Sequence, residues 1–476
     1  MKTLLSTRPV SRTAALLAGG LLACGCAVGP DYREPALDPP DTWHQALVQG
    51  LSTGEADLAT WWKVLDDPIL DGLIERATAG SLDLRAAVDR IDQARAARGI
   101  AVGAGLPSLD ADAVYSYSKD SEEVVGPIPD NPRNFYSTAL GAGWEVDLFG
   151  RIRRSVESAE ATLEASVEDY RDVLVVLYAQ IATNYADVRT LQERIRYAEQ
   201  NIDLQRQTLE LVRVRNRVGL VGDLDLRQAE LNLSRTKSFV PQLRAALVVA
   251  LNRIAVLIGG YPEGLDAALR EPGPLPNGDV EVALGPPANL LRQRPDVRRA
   301  ERALAAQTAQ IGVATADLYP RLALLGTISL SAISSASWFT GGAEAWGVGP
   351  QLRWNLFDGG RIRANIRAQE ALTREALVGY EQTLLLAVEE VEDAIAAYAQ
   401  ERQRREELRR SAEAAAESVR LVGVLYRTGL VDFLNVLDSE RSLFDEQDRL
   451  AGSEGQVVKN LVRIYSTLGG GWSPQP

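Results

Sequence analysis

The 476-residue chain holds one histidine, His44, one methionine, and two cysteines, Cys24 and Cys26. With so few ligands, a His-rich metal site, a four-cysteine zinc site or a histidine-based triad cannot be assembled. No cysteine follows Cys26, so no disulfide framework is expected beyond it. Positive charge is also in deficit: 51 Lys and Arg against 64 Asp and Glu give a net charge of −13, which makes nucleic acid a poor partner. Apolar runs are short; Val173–Tyr178 is typical of the longest, and none approaches 18 residues, so no membrane-spanning helix is expected. Entry into a membrane would then require a closed β-barrel. What is present is globular usage, 46% apolar and 24% charged, which excludes wholesale disorder. Enzyme chemistry is disfavoured apart from carboxylate pairs. A carboxylate-based hydrolase acting on cell-wall polymer rests on the abundance of acids alone.

The first 25 residues read as an export signal. Lys2, Arg8 and Arg12 precede a short apolar run from Ala14 to Ala23, with no acid; the run is too short to span a bilayer and fits a signal core. A cysteine closing such a segment after small residues suits covalent lipid attachment. Removal of 1–25 lowers the net charge from −13 to −16, because the segment carries three basic residues and no acid.

Past the leader the chain repeats itself. At an offset of 210 residues, 144–260 aligns with 354–470 without a gap. Trp144 meets Trp354, Gly150-Arg-Ile-Arg153 meets Gly360-Arg-Ile-Arg363, Gly219-Leu-Val221 meets Gly429-Leu-Val431, and Gly259-Gly260 meets Gly469-Gly470. A second offset, 213, joins Arg85 to Arg298, Gly99 to Gly312, Pro107 to Pro320 and Leu109 to Leu322. The expectation is two copies of one unit, separated by the Pro/Gly-rich stretch Gly259 to Pro287.

Within each unit the hydrophobic period changes from 2 to about 3.6. Leu109, Ala111, Ala113, Tyr115 and Tyr117 alternate with polar neighbours, as do Tyr136, Leu140, Ala142, Trp144, Val146 and Leu148. The second unit repeats this with Leu322, Leu324, Ile328 and Leu330, then Trp346, Val348, Leu352, Trp354 and Leu356. Four strands with one apolar and one polar face are expected, as in a lipid-facing barrel; amphipathic hairpins covering a soluble core would alternate in the same way. Four strands cannot close a membrane barrel, for which about eight is the minimum, whereas three copies supply 12. After each hairpin comes a long helix. From Ile152 to Ile202 an apolar stripe advances 50 residues in 14 steps, a mean of 3.57, so the helix needs little supercoiling. A helix from about Arg151 to Val218 would be about 100 Å long. A turn at Gly219–Asp223 and a shorter return helix to about Leu257 follow; Leu82–Val102 is a further helix. The charged stretch Glu401–Arg410 reads as a solvated helix face.

Four segments carry a resemblance: Cys26-Ala-Val-Gly-Pro-Asp-Tyr-Arg-Glu-Pro35, Trp354-Asn-Leu-Phe-Asp-Gly-Gly-Arg361, Tyr426-Arg-Thr-Gly-Leu-Val-Asp-Phe-Leu-Asn-Val-Leu-Asp438 and Leu468-Gly-Gly-Gly-Trp472. In order and spacing they resemble the outer membrane efflux proteins of the TolC type, in their NodT-like lipoprotein branch. The resemblance covers essentially the whole mature chain. It implies a mixed α and β membrane protein: a homotrimeric 12-stranded outer-membrane β-barrel, four strands per chain, continued by a long periplasmic α-helical barrel and built from two internal repeats.

The division expected on this reading is signal peptide 1–25, anchor and equatorial segment 26–80, helix 81–106, hairpin 107–148, and long helix, turn and return helix 149–258. An equatorial linker at 259–290 leads to helix 291–319, hairpin 320–357, long helix, turn and return helix 358–468, and tail 469–476. The resemblance also implies the work: a passive exit duct of a tripartite efflux pump, with no enzymatic activity and no cofactor beyond a covalent lipid. Its partners would be a periplasmic adaptor, a proton-driven inner-membrane transporter and outer-membrane lipid, with no nucleic acid. The expected location is the outer membrane, lipid-anchored and extending into the periplasm.

On the family's mature start the lipidated residue is Cys26; Cys24, with Leu21 three residues before it, is the alternative. The turns Gly219, Leu220, Val221 and Gly429, Leu430, Val431 fall where the family meets its adaptor. Asp432 and Asp438 fall where it places acidic rings that narrow the pore, although Asn435 stands where a further acid is common. Service to a protein secretion system, or a poreless periplasmic coiled-coil scaffold lipoprotein, are the competing readings.

Overall fold

The computed structural model describes residues 27–36, 40, 42–44, 51–54, 57–126, 129–265, 267–278 and 280–473. The leader, with Cys24, and the expected mature start Cys26 lie outside them. The chain divides into two units: Met1–Pro35 with Ile91–Ser166 and Ala300–Tyr380, and Ala36–Arg90 with Val167–Arg299 and Glu381–Pro476. The strands are β1 (Leu51–Thr53), β2 (Ser108–Ser118), β3 (Arg133–Val146), β4 (Val282–Leu284), β5 (Arg321–Ala332) and β6 (Glu344–Arg353). The principal helices are α1 (Pro68–Gly80), α2 (Leu82–Gly103), α3 (Arg151–Arg217), α4 (Asp223–Leu257), α5 (Pro287–Gln293), α6 (Pro295–Ala316), α7 (Arg361–Arg427) and α8 (Phe433–Thr467). The helices α3 and α7 have 67 residues each, and α4 and α8 have 35 each.

In the first unit the alternating segments form one antiparallel sheet in the order β2-β3-β5-β6. Its register puts Leu140, Ile328 and Trp346 side by side on one face, and Glu145, Ala323 and Gln351 on the other. The apolar face is open: Trp346 is 72% and Val348 81% exposed. Each hairpin hands over to its helix through an aspartate. The Ile152 and Arg153 amides donate to Asp147, and those of Gly360 and Ile362 donate to Asp358, which satisfies amides that a helix start leaves without partners. The indoles repeat as well: Trp144 donates to the Gly105 carbonyl and Trp354 to that of Leu318. The strap after Cys26 lies on this junction. Val28 donates to the Phe149 carbonyl at 3.1 Å, and buried Arg154 binds the Val28 and Gly29 carbonyls and Asp31.

The second unit carries two apolar clusters. One joins Trp61, Leu70, Ile74, Ile181, Tyr185, Ile254, Val391, Tyr398 and Leu461, with the parallel pair β1–β4 among them. The other joins Ala198, Ile202, Leu209, Val212, Leu233, Val422, Tyr426, Phe433, Val436 and Leu437. Buried members of the α3 stripe such as Leu174, Leu177, Ile181, Tyr185, Val188 and Ala198 explain why one unbroken helix is stable here: most helical stability comes from a packed face.

Two expectations need correction. An 18-residue window of α4 is long and apolar enough to cross a membrane; the apolar-run count missed it because Arg244 and Arg253 interrupt the run. This helix packs against α8 and buries Leu243, Ala250, Ile254 and Ala255, while Val248, Val249 and Val256 are exposed, so one face of it serves helix packing. The stretch 401–410 is not wholly solvated. Glu401 accepts from Ser453 at 2.5 Å and pairs with Arg404, and Arg405 is buried, while the Glu406–Arg409 pair is half-buried and the Glu407–Arg410 pair exposed.

Candidate functional site

Both long helices reverse through the same device, at the ends of α3 and α7. The Gly219 amide donates to the Asn216 carbonyl and the Leu220 amide to that of Arg215. In the second turn Gly429 donates to Tyr426, and Leu430 to Leu425. This paired 5→2 and 6→1 bonding is the Schellman closure of a helix, and it needs a left-handed residue; Gly219 and Gly429 have φ of +76° and +78°.

The four apolar turn residues divide two ways. Val221 and Val431 pack onto the second apolar cluster, whereas Leu220 and Leu430 project into solvent at 69% and 72% exposure. The turns are braced differently behind them. Asn216 donates to the Val221 carbonyl and to Asp223, both at 3.1 Å. At the same repeat position Tyr426 packs against Phe433, with ring centres 5.9 Å apart and planes tilted by 55°. Arg215 ties the two turns together: it donates to the Tyr426 carbonyl at 2.9 Å and lies 4.6 Å from the centre of that ring.

Asp432 occupies the position that caps α8, with extended backbone, but its side chain caps nothing and is exposed. Asp438 is exposed on the first turns of α8. Six residues apart, the two do not share a helix face at 100° per residue. Neither has a counterpart in the first turn, where the repeat offset leads to Gly222 and Gln228. Each turn therefore carries a projecting leucine; the second has Asp432 and Asp438 beside it, and the first has Asp223 and Asp225 at other positions of its return helix.

Pattern reading missed a buried carboxylate behind these turns. Glu440, 2% exposed, accepts from the Thr208 hydroxyl at 2.5 Å and from Asn232 at 3.3 Å. Burial raises its pKa above the usual carboxylate range, although these two hydrogen bonds work against the rise. Asn201 and Gln205 are buried nearby on α3. The signal was available: Gln205 falls in the stripe Ala198, Ile202, Leu209, Val212, and Glu440 in the stripe Phe433, Val436, Leu437, Phe444, polar residues at core spacing. Among the described residues no cluster of His, Cys, Asp or Glu is arranged to hold a metal ion.

Three comparisons bear on this arrangement. The model of a family described as outer membrane efflux protein matches residues 73–260 and 287–470. The chain is 31% identical over 454 residues to nodulation protein T of Rhizobium leguminosarum bv. trifolii, covering 95% of this chain and 96% of that protein. It is 29% identical over 457 residues to the probable efflux pump outer membrane protein TtgC of Pseudomonas putida, covering 95% and 94%. Among solved structures, the outer-membrane channel OprN superposes with a TM-score of 0.88 at 38% identity, covering 94% of this chain and 100% of that one.

Proposed function

The chain belongs to the outer membrane efflux protein family and is an outer-membrane efflux channel with a periplasmic extension, and we propose that it works as a homotrimer whose three sheets close one 12-stranded barrel. The observation that carries this reading is the sheet itself: four strands, two unpaired edges and an exposed apolar face. A sheet of that size cannot seal a cylinder in lipid. Its two hairpins and two helix pairs of equal length are, on this reading, two internal repeats of one unit. Light scattering on the detergent-extracted protein is expected to return three chains per particle, and planar bilayers are expected to show ion conductance. A monomer without conductance would overturn the proposal.

The finer assignments follow the same reading. Cys26 carries the lipid anchor, supported by the hold of Val28 on Phe149, two residues before α3 starts; Cys24 is the alternative. Leu220 and Leu430, with Gly219, Val221, Gly429 and Val431 shaping their turns, meet the helical hairpin of a periplasmic adaptor, which would bury the two exposed leucines. Through that adaptor the duct is served by an inner-membrane transporter. The tip is the gate, and threefold repetition of Asp432 and Asp438 draws carboxylates together around the axis, favouring cations.

Asp432→Ala is accordingly expected to raise single-channel conductance and move the reversal potential under a salt gradient toward that of an unselective pore. Unchanged conductance and selectivity would remove Asp432 from the gate. Efflux rather than protein secretion fits the TtgC relative, a probable efflux pump outer membrane protein.

A further inference from the structure

The sheet ends in two open edges, β2 and β6, and the chain contains the information to say how they meet. In the first hairpin Ser108 pairs with Gly143, and in the second Arg321 pairs with Arg353. The offset of 213 carries Ser108 to Arg321 and the offset of 210 carries Gly143 to Arg353. The two hairpins thus have the same register, residue for residue. One join between hairpins is visible, β3 to β5, with Glu145 opposite Ala323 and Gly143 opposite Leu325. Moving that join by the same offsets takes β3 onto β6 and β5 back onto β2. A four-stranded sheet cannot bring its own edges together, so the β2 concerned belongs to a second copy. The transferred register sets Arg353 opposite Asp112 of the next copy, Gln351 opposite Val114 and Asn355 opposite Asp110.

Two observations that played no part in this transfer agree with it. One is the pattern of faces. On the apolar side the register brings Val348 to Tyr117, Pro350 to Tyr115 and Leu352 to Ala113, so no charge is carried to the lipid face; a slip by one residue would exchange the faces. The other is charge. Arg353 lies directly across from Arg321, a like-charge pair that costs stability. Arg321 has its own partner, Asp317, at 2.5 Å, whereas Arg353 is exposed and makes no ion pair among the described residues. At the opposite edge Asp112 is exposed and likewise without an ion pair, and Asp110 accepts only from Ser108 at 3.5 Å. One edge holds an unmatched cation and the other an unmatched anion, on the same face of the sheet.

We infer that β6 of one copy pairs with β2 of the next in this register, locked by an ion pair between Arg353 and Asp112 on the polar, pore-facing side of the wall. The contact is heterologous and closes by rotation into a ring. The inference rests on the trimeric reading above and specifies its seam.

No cysteine follows Cys26, so the register can be measured by cross-linking in the full-length protein in outer membranes. Cross-strand partners lie within disulfide range. The double variant Gln351→Cys, Val114→Cys is expected to give covalent trimers on oxidation. The slipped pairs Gln351→Cys, Asp112→Cys and Gln351→Cys, Ser116→Cys are expected to give little. In parallel, Arg353→Asp and Asp112→Arg should each lose the heat-resistant oligomer on gels, and the double reversal should restore it. Cross-linking at a slipped pair alone would overturn the register while leaving the trimer standing. Failure of all three pairs in a protein that light scattering counts as trimeric would overturn the seam. A monomeric wild type would overturn the trimeric reading, and the seam with it.

Discussion

Gly259→Ala is expected to destabilise the helical unit by about 4 kcal/mol or more, against about 1 kcal/mol for Gly219→Ala or Gly429→Ala. All four long helices end in the same way, with glycine at the left-handed position: Gly219, Gly259, Gly429 and Gly469 have φ between +74° and +78°. The backbone strain of an alanine is therefore similar at each, and the surroundings decide the difference. A Cβ at Gly219 or Gly429 meets open space, whereas at Gly259 it would lie 2.0 Å from the Gly80 carbonyl oxygen and 2.7 Å from its carbon. The obstacle is backbone at the end of α1, which cannot rotate aside like a side chain. Relief requires α1 and α4 to separate, and with them Leu70, Ile74 and Ala77, all essentially inaccessible to solvent. Gly469→Ala should fall between, since its nearest neighbour, the Arg294 Cα, is 3.1 Å away. Thermal unfolding of the four variants followed by circular dichroism ranks them. Equal loss at Gly219 and Gly259 would show that backbone strain alone sets the cost.

The same glycines show what could be read in advance. Gly219 and Gly429 marked the ends of the long helices because a period near 3.6 stops there and a left-handed residue follows, and both helices end at the arginine two residues earlier. Strand existence was legible from alternation at Leu109–Tyr117 and Trp346–Leu352, although the alternation runs on through Trp354 and Leu356 past the strand's end at Arg353, and the offsets 210 and 213 foretold that elements would come in matching pairs. Contacts between distant residues were not legible. Nothing local in Ala27-Val28-Gly29 says that it will lie on Phe149 and Arg154, or that Gly29 and Gly312 will approach so closely that neither has room for a side chain. At the turns, apolar character located the candidate surface but could not separate Leu220 from Val221. That division follows from the left-handed glycine, which sends the next residue outward and the one after it back onto the cluster. Polar residues in a helix stripe are the reverse case: Gln205 and Glu440 stand at core spacing, but spacing does not name their partners, and only tertiary packing brings Thr208 and Asn232 to the Glu440 carboxylate.

Glu440 is where that enclosure has the largest consequence. Its carboxyl is surrounded by the apolar cluster behind the turns, with Thr208 and Asn232 as donors. Arg441, the adjacent cation, is directed to Asn232 at 3.3 Å rather than to the carboxyl. Glu440→Ala removes the acceptor and leaves both donors buried, for an expected loss of about 2 to 3 kcal/mol. Glu440→Gln keeps an acceptor of the same shape and cannot ionise.

The two variants then separate packing from charge through pH. A carboxyl whose folded pKa is raised above its ordinary value near 4.5 binds its proton more tightly in the folded chain than in the unfolded one. Below that ordinary value both states are protonated and its contribution is fully present. As pH climbs, the unfolded chain ionises first and stability falls until the folded group ionises too, after which the difference is constant. Each tenfold weakening of the acid by burial corresponds to about 1.4 kcal/mol. The wild type and Glu440→Gln should therefore unfold at similar temperatures at pH 4, with the glutamine variant increasingly the more stable from about pH 4.5 upward, while Glu440→Ala remains less stable than Glu440→Gln throughout. Parallel melting curves for wild type and Glu440→Gln from pH 4 to 8 would mean that the carboxyl ionises as readily in the folded bundle as in water, and that the enclosure seen around it does not persist in solution.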